Sequence, residues 1–221
     1  MSGVRRTATI DLVALTSTLI ELLERDDSFV LDARADAYGH GAEAVIATAT
    51  EAGVSQILVS PGGEFRSPTL VTHTSGRALV SAEAYGLDGT HRPVMTVVGE
   101  VIAVKRALQG AGVSYGYTYR TNTESHLALV GLGYADGIPR LASNRASVFV
   151  AGGQHPLAGR IAMDQFVADC GSAEPQVGDD VVLFGDPALG FPSAVEWAMH
   201  TERLPLELTA GIGPRVQRVF S

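Results

Sequence analysis

The chain has 221 residues, enough for one or two domains with a sizeable core, and its 46% apolar and 18% charged content excludes a disordered polymer. The net charge is −8 and no basic cluster exceeds Arg5-Arg6, which argues against nucleic acid as a partner. No apolar run reaches the roughly 18 residues of a membrane span, and Cys170, the single cysteine, leaves no intrachain disulfide and no thiolate metal site. The pattern after Arg5-Arg6 is amphipathic rather than that of a secretory core, so a cytoplasmic location is expected.

Ile10 ends a short strand, and Asp11 is placed to cap a helix. Leu12, Leu15, Leu19 and Leu22 recur at helical spacing and predict an amphipathic helix to about Glu24, broken by Asp26-Asp27-Ser28. Phe29-Val30-Leu31 reads as a short buried strand. After the turn Tyr38-Gly39-His40-Gly41, the residues Val45, Ala49 and Ala52 mark a second helix with Gly53 just past its end. Ile57-Leu58-Val59 is the next strand, and a strand–helix–strand unit predicts parallel pairing. Pro61 to Gly76 is turn-rich and takes no assignment, while Ala78-Leu79-Val80 reads as a further strand.

Asp88-Gly89-Thr90-His91-Arg92-Pro93 is a natural boundary, giving an α/β part over 1–92 and a mainly antiparallel β part over 93–221. In the second part strands are expected at 94–104, 127–132, 147–150, 157–161, 166–169 and 180–184. A hairpin turn is expected at Ala151-Gly152-Gly153-Gln154, and a helix at 193–200 after Pro192. The six histidines show no metal-ligand spacing, and no metal is expected. Ser60 lacks the flanks of a nucleophile elbow.

The most informative stretch is Leu31-Asp32-Ala33-Arg34-Ala35-Asp36-Ala37-Tyr38-Gly39-His40-Gly41. Further along stand Ala84-Tyr85-Gly86-Leu87, Arg92-Pro93-Val94-Met95-Thr96, Gly112-Val113-Ser114-Tyr115-Gly116, Gly133-Tyr134-Ala135-Asp136-Gly137 and Gly159-Arg160-Ile161-Ala162-Met163-Asp164-Gln165. In that order these segments resemble the alanine racemases. The corresponding first segment of that family reads valine-valine-lysine-alanine-asparagine-alanine-tyrosine-glycine-histidine-glycine. Its lysine forms the Schiff base with pyridoxal phosphate (PLP) and serves as one of two catalytic bases.

The resemblance implies a (β/α) barrel followed by a C-terminal antiparallel β domain, and a homodimer in which Tyr115, as the second base, reaches the partner's cofactor. It also implies Tyr134 at the substrate entrance, Met163 and Asp164 near the substrate carboxylate, and Tyr38 beside the cofactor phosphate. The departures are large. Arg34 stands at the lysine, and a guanidinium, with a pKa above about 12, supplies no free amine. The arginine that pairs with the pyridine nitrogen falls on Leu79, and a phosphate-binding tyrosine falls on Pro214. A (β/α)8 barrel takes about 250 residues, but only 92 precede Pro93, so the barrel is expected to be an incomplete fragment with at least one open edge.

For Arg34, an ion pair to Asp32 or Asp36 stands beside an anion site ahead of a helix N-terminus. The expectation is therefore an alanine-racemase-like chain without PLP, a homodimeric scaffold or binder of a small anion or amino acid. Two alternatives are a racemase that holds PLP non-covalently and a partner subunit of a full-length alanine racemase.

Overall fold

The computed structural model describes residues 3–61, 70–72 and 78–221. Strand β1 (Thr7–Ile10) leads into helix α1 (Leu12–Arg25). The Asp11 carboxylate accepts the Ala14 N–H at 2.8 Å and satisfies one of the free donors of the first turn. Ala14, Leu15, Thr18, Leu19 and Leu22 are its buried face, the face that the leucine spacing marks. Strand β2 (Val30–Asp32) comes next, then a left-handed turn over Arg34–Tyr38 and helix α2 (Ala42–Glu51). Gly53, at φ 95, stops that helix in the conformation glycine adopts most readily.

Three short strands complete the first part: β3 (Ile57–Leu58), β4 (Leu70–Val71) and β5 (Leu79–Val80). All pairings in this sheet are parallel, in the order β4-β3-β2-β5. Strand β4 falls in the stretch left unassigned from sequence, most of which lies outside the described residues. Val30, Leu31 and Ile57 are fully buried, as continuous apolar runs in a parallel sheet require. Among the described residues the edges β4 and β5 each have one neighbour, and Leu79 on β5 is exposed.

The second part contains β6 (Met95–Ala107), β7 (Gly112–Val113), β8 (Tyr119–Arg120), β9 (Ser125–Val130), β10 (Ser147–Val150), β11 (Gly153–Pro156), β12 (Phe166–Asp169) and β13 (Asp180–Phe184). Helices α3 (Ala194–His200) and α4 (Pro205–Ala210) and strand β14 (Gln217–Phe220) close the chain. The main sheet runs β11-β10-β13-β6-β1-β14, and β9 with β12 pairs against the far half of β6. A register shift between Val101 and Ala103 lets the long strand β6 serve both halves.

Between β10 and β11, Ala151 (φ 49) and Gly152 (φ 79) form the two-residue turn whose twist suits an antiparallel hairpin. Ser193 and Glu196 form a reciprocal cap on α3. The strand expected at 157–161 is absent: only Leu157 bridges, to Ala168, and Gly159 at φ 83 turns the chain out of the extended state.

Strand β1 lies before Pro93 in sequence but pairs antiparallel with β6 and parallel with β14. One contiguous apolar cluster runs from Leu15, Leu31 and Val45 to Val97, Leu132 and Trp197. The barrel fragment and the β domain therefore share a core.

Candidate functional site

Position 34 sits just beyond the C-terminal end of β2. Asp32 is a carboxylate on a strand whose other residues are apolar, with its side chain 1% exposed. Arg34 grips it in a fork: Nε donates to Oδ1 at 2.9 Å and Nη2 to Oδ2 at 2.6 Å. The Arg34 backbone N–H donates to Oδ1 at 3.1 Å, and the Tyr38 hydroxyl to Oδ2 at 2.5 Å. Burial pushes the Asp32 carboxyl up, but the hydrogen bonds from Arg34 and Tyr38 outweigh it and hold the pKa below its ordinary value. The Tyr38 phenol is pushed up, by burial first and then by its bond to Asp32. Of the two carboxylates expected to pair with Arg34, Asp32 does so.

Asp36 has a different task. The four residues Ala35, Asp36, Ala37 and Tyr38 all have φ between 51 and 56, a left-handed run that only glycine adopts without cost. This run turns the chain back so that Asp36 Oδ1 accepts the Ala42 N–H at 2.7 Å, at the start of α2. The helix terminus expected to attract an external anion thus receives the chain's own carboxylate. Arg218 on β14 secures the turn, donating to the carbonyls of Gly39, Ile212, Gly213 and Val216 at 2.6–3.0 Å. A Cβ at Gly39 would stand 2.4 Å from the Thr209 carbonyl oxygen, so only glycine permits this approach.

Tyr115, Tyr134, Met163 and Asp164 come together elsewhere, in an open cleft of about 480 Å³ that Arg140 and Arg160 also line. The turn at Gly133 carries Tyr134 and packs directly on the Ala162–Met163 backbone. Tyr134 and Ala135 donate to the carbonyls of Ala162 and Met163 at 3.0 and 2.9 Å, and a Cβ at Gly133 would stand 2.3 Å from the Met163 oxygen. Arg215 fixes Asp164 at 2.7 Å and reaches the fully buried Asp136 at 3.0 Å. The Arg140 guanidinium lies 5.6 Å over the Tyr134 ring. Among the described residues neither Arg140 nor Arg160 has a side-chain ion pair, so two guanidinium groups line the cleft without a carboxylate partner. Tyr115 is 72% exposed and Met163 52%.

Every residue lining this cleft lies after Pro93. The expected site residues therefore form two groups, Arg34 with Tyr38 and the four of the cleft. Sequence reasoning missed Arg215 and Arg218 because Asp136, Asp164 and Gly39 lie far from them in the chain, and it missed Arg140 because its place over Tyr134, six residues earlier, carries no motif. It also passed over a plain signal: Lys105 is the only lysine in the chain. It lines a separate apolar cleft with Leu127, Leu129 and Val167. Around position 34 the residues present do not fit PLP held as a Schiff base. No amine stands there, the Tyr38 hydroxyl is committed to Asp32, and the α2 terminus is committed to Asp36.

The described residues thus form part of a parallel βα barrel joined to an antiparallel β domain that carries a tyrosine–arginine cleft. Residues 94–220 match the family model described as "Alanine racemase, C-terminal domain". The alanine racemase of Thermobifida fusca is 48% identical over 130 residues, 59% of this chain and 35% of that protein. The alanine racemase of Frankia casuarinae is 40% identical over 168 residues, 76% of this chain and 39% of that protein. The chain thus spans little more than a third of the length of these curated relatives.

Among solved structures, the alanine racemase of Streptomyces coelicolor superposes with a TM-score of 0.84 at 26% identity, over 98% of each chain. That of the D-cycloserine producing Streptomyces lavendulae gives 0.86 at 25% identity, over 100% of this chain and 98% of that one. The chain belongs to the alanine racemase family.

Proposed function

We propose that this chain is a catalytically silent alanine-racemase-like protein, a homodimeric scaffold that takes a small anion in its C-terminal cleft. The observation that carries the reading is Arg34: the position of the family's amine holds a guanidinium already bound to a buried carboxylate. Racemisation needs a group that takes and returns a proton beside a covalently activated amino acid, and a guanidinium does neither at neutral pH. The free Arg140 and Arg160 beside Tyr134 support capture of a carboxylate or phosphate. The exposed Tyr115 and Met163 and the edges β4 and β5, open among the described residues, support a second copy as cover. A full-length alanine racemase would dock through the same surface.

The test combines three measurements. Purified protein with added PLP is scanned in the visible before and after borohydride, L-alanine is offered for conversion to D-alanine, and mass is read by light scattering at micromolar concentration. No retained chromophore, no turnover and a dimer are expected. Turnover would sink the silent reading, and PLP retained without an adduct would favour a racemase that holds its cofactor non-covalently. A monomer would remove the scaffold, and co-purification of a full-length racemase would favour the mixed complex.

A further inference from the structure

We infer that Asp32 and Arg34 form one ionic lock, in which Asp32 would hold any cation at position 34, so that lysine alone at that position would not present a free amine. The inference rests on the reading that the cofactor anchor is lost here, and it concerns why a single reversion would not restore it.

Asp32 is fully buried between the apolar Leu31 and Ala33, a placement a carboxylate tolerates only when its lone pairs are filled. They are filled by four donors: Oδ1 takes the Arg34 N–H and Nε, and Oδ2 takes Nη2 and the Tyr38 hydroxyl. Two of the four come from the Arg34 side chain, so the carboxylate and the guanidinium depend on each other. The family's valine-valine-lysine segment has valine at both positions that correspond to Asp32 and Ala33, so no carboxylate precedes the lysine there. Here a buried anion replaces one valine two residues before position 34 and favours the charged form. The acid and the base therefore form a pair, and exchanging the base alone leaves the acid in place. Among the described residues, Asp32 and Tyr38 are the titratable groups that face position 34.

Lys105 supplies an internal standard, since it is the chain's only native lysine and is exposed. The full-length Arg34→Lys variant is trace-labelled with acetic anhydride at about pH 8, and peptide mass spectrometry compares the two amines. The amine at position 34 is expected to react at least ~10-fold more slowly than Lys105, as a pKa raised by one unit or more dictates. In Asp32→Asn/Arg34→Lys, which keeps the shape and removes the charge, it is expected to come within ~3-fold of Lys105. Equal reactivity in the single variant, or no acceleration in the double variant, would overturn the lock.

If circular dichroism shows the double variant unfolded, the pH profile of labelling in Arg34→Lys decides. A midpoint above that of Lys105 supports the lock, and one at or below it refutes it. The labelling reads only the amine. Racemisation by the unaltered chain would therefore sink the silent reading and leave this result standing.

Discussion

Two residues near the left-handed turn govern how the protein responds to mutation and acid. Arg34→Ala would leave the buried Asp32 with two of its four donors. The guanidinium is 46% exposed, so water fills part of the gap, and a loss of about 1–2 kcal/mol is expected in urea unfolding at pH 7. His40 is fully buried, stacked on Tyr85 at 4.5 Å, with Nδ1 2.8 Å from the Ala37 carbonyl oxygen. Burial pushes its pKa down to about 4, against the pull of the backbone carbonyl. The unfolded chain therefore takes up a proton on this residue that the folded chain refuses. The resulting stability is complete above the unfolded value near 6.5 and is lost as pH falls toward 4, about 3 kcal/mol over that window. Asp32, whose folded pKa is depressed, adds a loss in the same direction at still lower pH, below its unfolded value. Urea titrations from pH 7 to 4 are expected to show the first loss in the native protein and not in His40→Phe; a flat profile in the native protein would refute the assignment.

The left-handed turn is the element on which the site end of the barrel fragment depends. Its strain is held by contacts distant in sequence, from Arg218, Thr209 and Phe220, as well as by the Asp36 cap on α2. Ala35 is exposed and sits at φ 51, ψ 47, so its Cβ costs energy and contributes no packing. Ala35→Gly is expected to raise stability by about 1 kcal/mol, against the usual sign for glycine, as measured by the urea midpoint. A lower midpoint would show that the turn is unstrained. The sequence marked this stretch as a turn through Gly39 and Gly41. It could not mark the handedness of the four residues before them, because local preference opposes it. Strands 147–150, 166–169 and 180–184 were legible because alternation and apolar runs report local burial. The expected strand at 157–161 failed because its apolar residues pack from an irregular loop around Gly159, and burial without regular backbone gives the same composition.

At the scale of the molecule, the shared core predicts a single unfolding event. Trp197, the only tryptophan, lies in the β domain at 1% exposure and belongs to the apolar cluster that includes Leu15 and Leu31. Urea transitions followed by Trp197 fluorescence and by far-UV circular dichroism are expected to coincide, and separated midpoints would show that the barrel fragment melts on its own. The sequence by itself determined the parallel strand–helix–strand start, the antiparallel β part after Pro93, the family resemblance and the absence of an amine at position 34. These rest on local periodicity, on turn residues and on the chemistry of single side chains. Only the tertiary structure decided that β1 belongs to the large sheet, that Asp32 rather than Asp36 holds Arg34, and that the site residues divide between a locked turn and an open arginine-bearing cleft. The place of β1 and the division of the site are set by packing across the chain, and the choice of Asp32, only two residues from Arg34, follows from the left-handed turn that Arg218, Thr209 and Phe220 hold from a distance.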